Sequence, residues 1–155
     1  MADMSGTRLD FGILLLLACE EFVTDLRATL AADFPDQGTS DGYVLRSLGA
    51  RPMTVSELAA GLSMSKQGAG QIADDMERRG YVERRPDPRD GRARLLHLSP
   101  RGEDALAAAR RFHQRYERRL VRAHGKDAVE SVRALLGAMI GADQVADPRF
   151  RPMYL

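Results

Sequence analysis

Cysteine is nearly absent from this chain of 155 residues, with Cys19 its single thiol. One cysteine builds neither an intramolecular disulfide framework nor a zinc cluster on thiolates, which excludes small secreted scaffolds and zinc fingers and points to a reducing, cytoplasmic setting. His97, His113 and His124 lack the close spacing of a metal-ligand pair, so no metal is expected. Long apolar runs are missing too. The longest, Phe11 to Cys19, stops at Glu20 and Glu21, short of the ~20 residues that cross a bilayer, so no membrane partner is expected. Asp3, Arg8 and Asp10 mix charge signs ahead of it, and no small-residue cleavage site follows, unlike a secretory signal. Internal repeats, low-complexity segments, nucleophile motifs, phosphate loops and carboxylate pairs are all lacking, which excludes an obvious enzyme and implies no cofactor.

Net charge is the last thing in short supply, at +1. That total gives no basic signature for nucleic acid, but it conceals a sorted distribution. Residues 1–60 hold four Arg against nine acids, residues 61–125 hold fifteen Lys or Arg against nine, and residues 126–155 hold four of each. The densest basic stretch, Arg78 to Arg101, carries eight Arg against Glu83, Asp87 and Asp90.

What is present reads mostly as helix. Thr7 and Asp10 have the spacing of a capping box, and Leu9 to Leu30 follows as a helix apolar on nearly every side in its first turns. Such a helix must be buried on more than one face, which in so short a chain suggests a partner subunit. Pro35 to Gly42 is a loop, and a short helix around Tyr43 to Leu48 ends near Gly49. Thr54-Val55-Ser56-Glu57 is a second capping box, opening a helix to Gly61. Ser65 caps a longer helix that runs to Arg79 and stops at Gly80. Tyr81 to Arg85 and Ala93 to Leu98 read as strands joined by a turn over Pro86 to Gly91. Ser99-Pro100 starts a helix that ends at Gly125, with Leu106, Ala109, His113, Tyr116 and Leu120 recurring at helical spacing. A last helix covers roughly Asp127 to Met139.

The order helix, tight turn, helix, hairpin from Thr54 to Leu98 is a helix-turn-helix with a two-stranded wing. The second helix has an apolar face of Ala69, Ile72, Ala73 and Met76, suited to pack on Val55, Leu58 and Leu62. Its other face presents Lys66, Gln67, Gly70 and Gln71. Gln pairs bidentately with adenine, Lys donates to guanine or phosphate, and the helix start at Ser65 offers backbone N–H groups to phosphate. Gly68 and Gly70 each weaken the helix by about 1 kcal/mol relative to Ala, and would let the helix approach DNA closely if they faced it. Asp74 and Asp75 would repel phosphate, but Arg78 and Arg79 stand four residues later to neutralise them.

The segment Thr54 to Gly102 resembles the winged helix-turn-helix of the MarR family of bacterial transcriptional regulators. The resemblance is carried by Leu58-Ala59, Ser65-Lys66-Gln67, Arg79-Gly80-Tyr81-Val82, the wing signature Asp87-Pro88-Arg89-Asp90-Gly91-Arg92, and Leu98-Ser99-Pro100-Arg101-Gly102. It implies a mainly α fold with a small β-hairpin wing: an N-terminal dimerisation helix over 1–35, a DNA-binding lobe over 40–99, and C-terminal dimerisation helices and tail over 100–155. It also implies a homodimeric repressor of a pseudo-palindromic operator in double-stranded DNA. By position, Arg92 would enter the minor groove with Asp90 holding its guanidinium. Arg84, Arg85 and Arg94 would lie near the same backbone, Thr54 and Ser56 would meet phosphates, and Lys66, Gln67 and Gln71 would read base edges. Relatives release DNA on binding small aromatic or phenolic anions, which would place a pocket near Phe22, Tyr43, Arg46 and Phe112. Some sense oxidants through a thiol at the place of Cys19, followed by Tyr residues where this chain has Glu20-Glu21-Phe22. A winged-helix interaction or ligand-binding protein without DNA binding is the remaining alternative.

Overall fold

The computed structural model describes residues 8–38 and 40–143. These fall into two compact units divided between Pro35 and Asp36. The first holds one helix, α1 (Phe11–Leu30), preceded by Asp10 at the N-cap position without a side-chain capping bond. Thr7, the other half of the expected capping box, lies outside the described residues. Along α1, Phe11, Ile13, Leu14, Leu16 and Leu17 are all exposed.

The second unit contains α2 (Asp41–Ala50), α3 (Val55–Gly61), α4 (Lys66–Arg78), β1 (Val82–Asp87), β2 (Asp90–Leu98), α5 (Pro100–His124) and α6 (Lys126–Ile140). Local chemistry sets most of these boundaries. Thr54 Oγ1 accepts from the Glu57 N–H at 3.2 Å while Glu57 Oε2 accepts from the Thr54 N–H at 2.7 Å, a complete capping box that starts α3. Ser65 caps α4 by accepting from the Gly68 N–H, and Ser99 caps α5 by accepting from the Gly102 N–H, both at 3.1 Å. Gly80 takes φ of +79° just past α4, which turns the chain sharply into β1 at no side-chain cost.

The core lies where α2, α3, α4, α5 and the hairpin converge. Val44, Leu45, Leu58, Leu62, Ala69, Ala73, Met76, Tyr81, Leu96 and Ala105 are all fully buried there. Gly102 lets α5 start directly against β1, since a Cβ at that position would collide with the Tyr81 carbonyl oxygen. The hairpin is longer than the expected strands. β1 and β2 pair antiparallel from Val82↔Leu98 through Pro86↔Arg94 to Asp87↔Asp90, and the turn shrinks to Pro88 and Arg89. Pro86 was expected to end pairing, yet it sits on the edge strand, where its missing N–H breaks no interior ladder, and an irregularity at Pro86/Asp87 absorbs the change of register. Met53 adds a short bridge to the other side of β2, exchanging two backbone bonds with Leu96 at 3.3 and 2.8 Å.

Candidate nucleic-acid interface

Ala69, Ala73 and Met76 on α4 are wholly buried, which turns Gln67, Gln71, Asp74 and Arg78 outward along one exposed line. Lys66 is exposed at the first turn beside Ser65, whose hydroxyl is engaged as the cap. Thr54 is likewise engaged in its capping box, while Ser56 is exposed on α3. The two helix glycines do not lie on the outward line. A Cβ at Gly70 would sit 3.9 Å from Val55 Cγ1 on α3, and one at Gly68 would meet Met64 Cε and Ser65 Oγ at 3.2 and 3.3 Å. Gly68 is thus crowded by the turn, whereas a Cβ at Gly70 would make an ordinary contact with α3, and the expectation that the two glycines bring the helix closer to DNA is corrected to an inward-leaning placement beside the turn.

Of the two pairs expected from the spacing along α4, Asp75 with Arg79 forms and Asp74 with Arg78 does not. Asp75 binds both Arg78 and Arg79, whereas Asp74 binds Arg84 of β1 at 2.6 Å. Arg84 also reaches Glu77, so one guanidinium neutralises two acids of α4 and braces the hairpin against it. The expected Asp74–Arg78 pair does not form because a residue of the neighbouring strand reaches Asp74 and Glu77 together. Arg85, on the other face of β1, pairs with Glu83.

At the wing tip, Asp87 Oδ1 accepts from the Arg89 N–H at 2.9 Å and Asp90 Oδ1 from the Arg92 N–H at 3.0 Å. Asp90 thus fixes the backbone of the turn and not the Arg92 guanidinium, as the sequence had led us to expect. A short Asp side chain is well placed for a backbone N–H two residues on. Arg92 and Arg94 are exposed, and among the described residues neither makes an ion pair.

The C-terminal end of α4 is anchored by a cluster that sequence reading missed. Arg79 donates to both carboxylate oxygens of Asp41 at 2.6 and 3.1 Å and to the Asp36 carbonyl at 2.6 Å. Asp41 is 2% exposed, and its hydrogen bond is the leading reason the Arg79 guanidinium is held above its ordinary pKa range. Tyr81 donates to Asp36 at 2.5 Å beneath the Arg101 guanidinium, which lies 4.7 Å from the ring centroid. That hydroxyl is the main cause holding the Asp36 carboxyl below its usual value. Asp41 at the first turn of α2, on the same helix as the core residues Val44, Leu45 and Leu48, was the one available signal.

Of the residues expected near a small-molecule pocket, Tyr43 and Arg46 lie on α2 and Phe112 on α5, while Phe22 belongs to α1 in the other unit. The Tyr43 hydroxyl fills the space a side chain at Gly61 would take. Phe112 is buried, with its ring centroid 5.9 Å from His113 and 5.8 Å from Tyr116. Burial pushes the His113 imidazole below its ordinary value, with the Arg46 charge acting the same way. Cys19 is half-buried on α1. No group of His, Cys, Asp and Glu among the described residues could hold a metal ion, and no helix among them is long and apolar enough to cross a membrane.

A capped helix-turn-helix, a hairpin braced to its second helix and a long following helix define a winged helix-turn-helix protein. A family model described as "MarR family" matches residues 35–93. The HTH-type transcriptional regulator PetP of Rhodobacter capsulatus is 32% identical over 126 residues, covering 79% of this chain and 70% of PetP. The chain belongs to the MarR family of transcriptional regulators. The transcriptional repressor MprA of Escherichia coli K12 is 41% identical over 51 residues, 33% of this chain but only 29% of MprA. Among solved structures, a mutant of Staphylococcus aureus MepR bound to an oligodeoxyribonucleotide matches with a TM-score of 0.62 at 20% identity, covering 86% of this chain and 97% of that one, a likeness of fold.

Proposed function

We propose that this protein is a homodimeric repressor whose two α4 helices enter successive major grooves of a pseudo-palindromic operator while the wings reach the flanking minor grooves. The observation that carries this reading is the unpaired state of Arg92 and Arg94 at the tip of a hairpin that Arg84 braces to α4 through Asp74 and Glu77. A rigid tip bearing free guanidiniums suits the negative potential of a narrow minor groove. Gln67, Gln71 and Lys66, all exposed, supply donors for base edges, and Ser56 supplies one for phosphate. Arg84 acts through the brace more than through DNA, as do Thr54 and Ser65 through their caps.

Dimerisation through α1 and the C-terminal helices, which flank the DNA-binding lobe in sequence, is supported by uncovered apolar residues on α1 and α6. Phe11 on α1 is 58% exposed and Ile140 on α6 is 59% exposed, with Val132, Leu135, Leu136 and Met139 beside the latter. Release by a small aromatic or phenolic anion is supported by Arg46, which makes no ion pair among the described residues and lies close enough to His113, beside Phe112, to disfavour its protonation. Replacing Arg92 with Ala at fixed salt should weaken operator binding by about tenfold or more, read by fluorescence anisotropy, in line with the ~1–3 kcal/mol of a good groove contact. Unchanged affinity would sink the wing assignment.

A further inference from the structure

The arginines of this protein sort into two kinds. Around the recognition helix and the base of the wing, Arg78, Arg79, Arg84, Arg85 and Arg101 each face an acid. In the second half of α5 the pattern reverses: Arg110 to His124 holds six Arg and, as its acid, Glu117 alone, which pairs with Arg133 of α6. Arg111, Arg115, Arg118 and Arg122 recur at steps of four, three and four, which at about 100° per residue confines them to an arc of about 60°. All four are exposed, and none makes an ion pair or hydrogen bond among the described residues. The arc faces away from the buried side of α5, marked by Ala105 and Phe112. Arg119 lies beside it with its guanidinium 4.9 Å from the Tyr116 ring centroid, and Asp104 lies on the same line two turns earlier.

Four like charges at spacings of three and four destabilise a helix unless something outside it answers them. The ridge is about 16 Å long at 1.5 Å per residue. Its guanidinium forks suit phosphate oxygens, and several of them along one face suit a polyanionic backbone. Aromatic rings, on which single-stranded bases would stack, are missing from this face, which favours a duplex over a single strand. The geometry points to a second nucleic-acid contact surface: the Arg111–Arg115–Arg118–Arg122 ridge binds the backbone of duplex DNA outside the operator, without reading its sequence. This rests on the reading of the protein as a DNA-binding regulator.

The test compares a duplex limited to the operator with the same duplex extended by about 21 base pairs, two helical turns, at one end, so that one protomer's ridge is engaged. The full chain is used with Arg111, Arg115, Arg118 and Arg122 all changed to Gln, and separately all to Lys. The wild type should bind the longer duplex more tightly, with an additional salt slope of about 2.7 for three phosphates, so that the advantage shrinks about 40-fold between 50 and 200 mM salt. The Gln variant should lose that advantage while binding the short duplex as before, and the Lys variant should keep most of it. Equal behaviour of wild type and Gln variant on the long duplex overturns the ridge, as does a loss of equal size on both duplexes. Competition by polyglutamate as effective as that of non-operator duplex at equal charge also overturns it, in favour of an acidic protein partner. Arg92→Ala separates the two ideas. It should weaken both duplexes by one factor, and a wild type that binds neither would remove the operator reading itself.

Discussion

α4 and α6 are of similar length, and they are held in opposite ways. α4 opens on a side-chain cap, buries three residues completely and is tied at its far end to Asp41 through Arg79. α6 opens at Gly125 with no side-chain cap, buries no residue, and leaves Val132, Leu135, Leu136, Met139 and Ile140 exposed. Isolated helices of about 15 residues are marginal in water. The lobe around α4 is therefore stabilised by its own contacts, whereas α6 has an ion pair to α5 and an apolar face that nothing in its own unit covers.

Three measurements press on that contrast. Changing Asp41 to Ala leaves Arg79 with Asp75 and the Asp36 carbonyl but without its buried partner, and urea denaturation should show a loss of about 1.5–3 kcal/mol. A loss below about 1 kcal/mol would mean that the anchor at the end of α4 is ornamental. Changing Thr54 to Ala removes one cap and should cost about 1 kcal/mol. It also changes the acid response. The Thr54 backbone N–H, which Ala keeps, is the main cause holding the Glu57 carboxyl below its ordinary value, and the Thr54 hydroxyl, which Ala lacks, is a lesser one. A carboxyl depressed by folding adds stability above its unfolded pKa and loses it as pH falls through the folded one. Thermal midpoints should thus fall between about pH 5 and pH 3 in the wild type, and fall only slightly less in the variant. Changing Val132 to Ser should leave the denaturation of the lobe within about 0.5 kcal/mol of wild type, because that side chain is 56% exposed in the protomer. Its effect should appear in sedimentation equilibrium as weaker self-association, and an equal loss in lobe stability would erase the contrast between the two helices.

The same contrast separates what could be read from the sequence and what could not. Thr54 with Glu57, Ser65 and Ser99 were legible because a cap acts over three residues, and Gly80 because a sharp turn after a helix asks for a left-handed residue. The wing signature Asp87 to Arg92 was legible as a motif, yet the direction of Asp90 was not, since a short acid can face its neighbour's guanidinium or its backbone. Arg79 with Asp41, 38 residues apart, and Arg84 with Asp74, ten apart, depend on tertiary placement that spacing rules along one helix do not reach. For the same reason Gly70 was assigned to the outward face when it lies against Val55. Sequence pattern thus pointed to the surface proposed to meet DNA, and the structure distinguished the side chains that hold it in shape from those without a partner among the described residues.

The hairpin carries one more consequence. β2 is flanked by β1 on one side and by the Met53 bridge on the other, which leaves β1 as an open edge. An open edge is a template for pairing with a stray strand, yet this one reads Val82-Glu83-Arg84-Arg85-Pro86-Asp87, charged in its middle and interrupted by a proline and a register break. A newly made copy meeting another before its apolar helices are covered thus finds a sheet edge poorly suited to joining it. Aggregation by strand addition is disfavoured, which leaves the exposed apolar residues of α1 and α6 as the surfaces open to association.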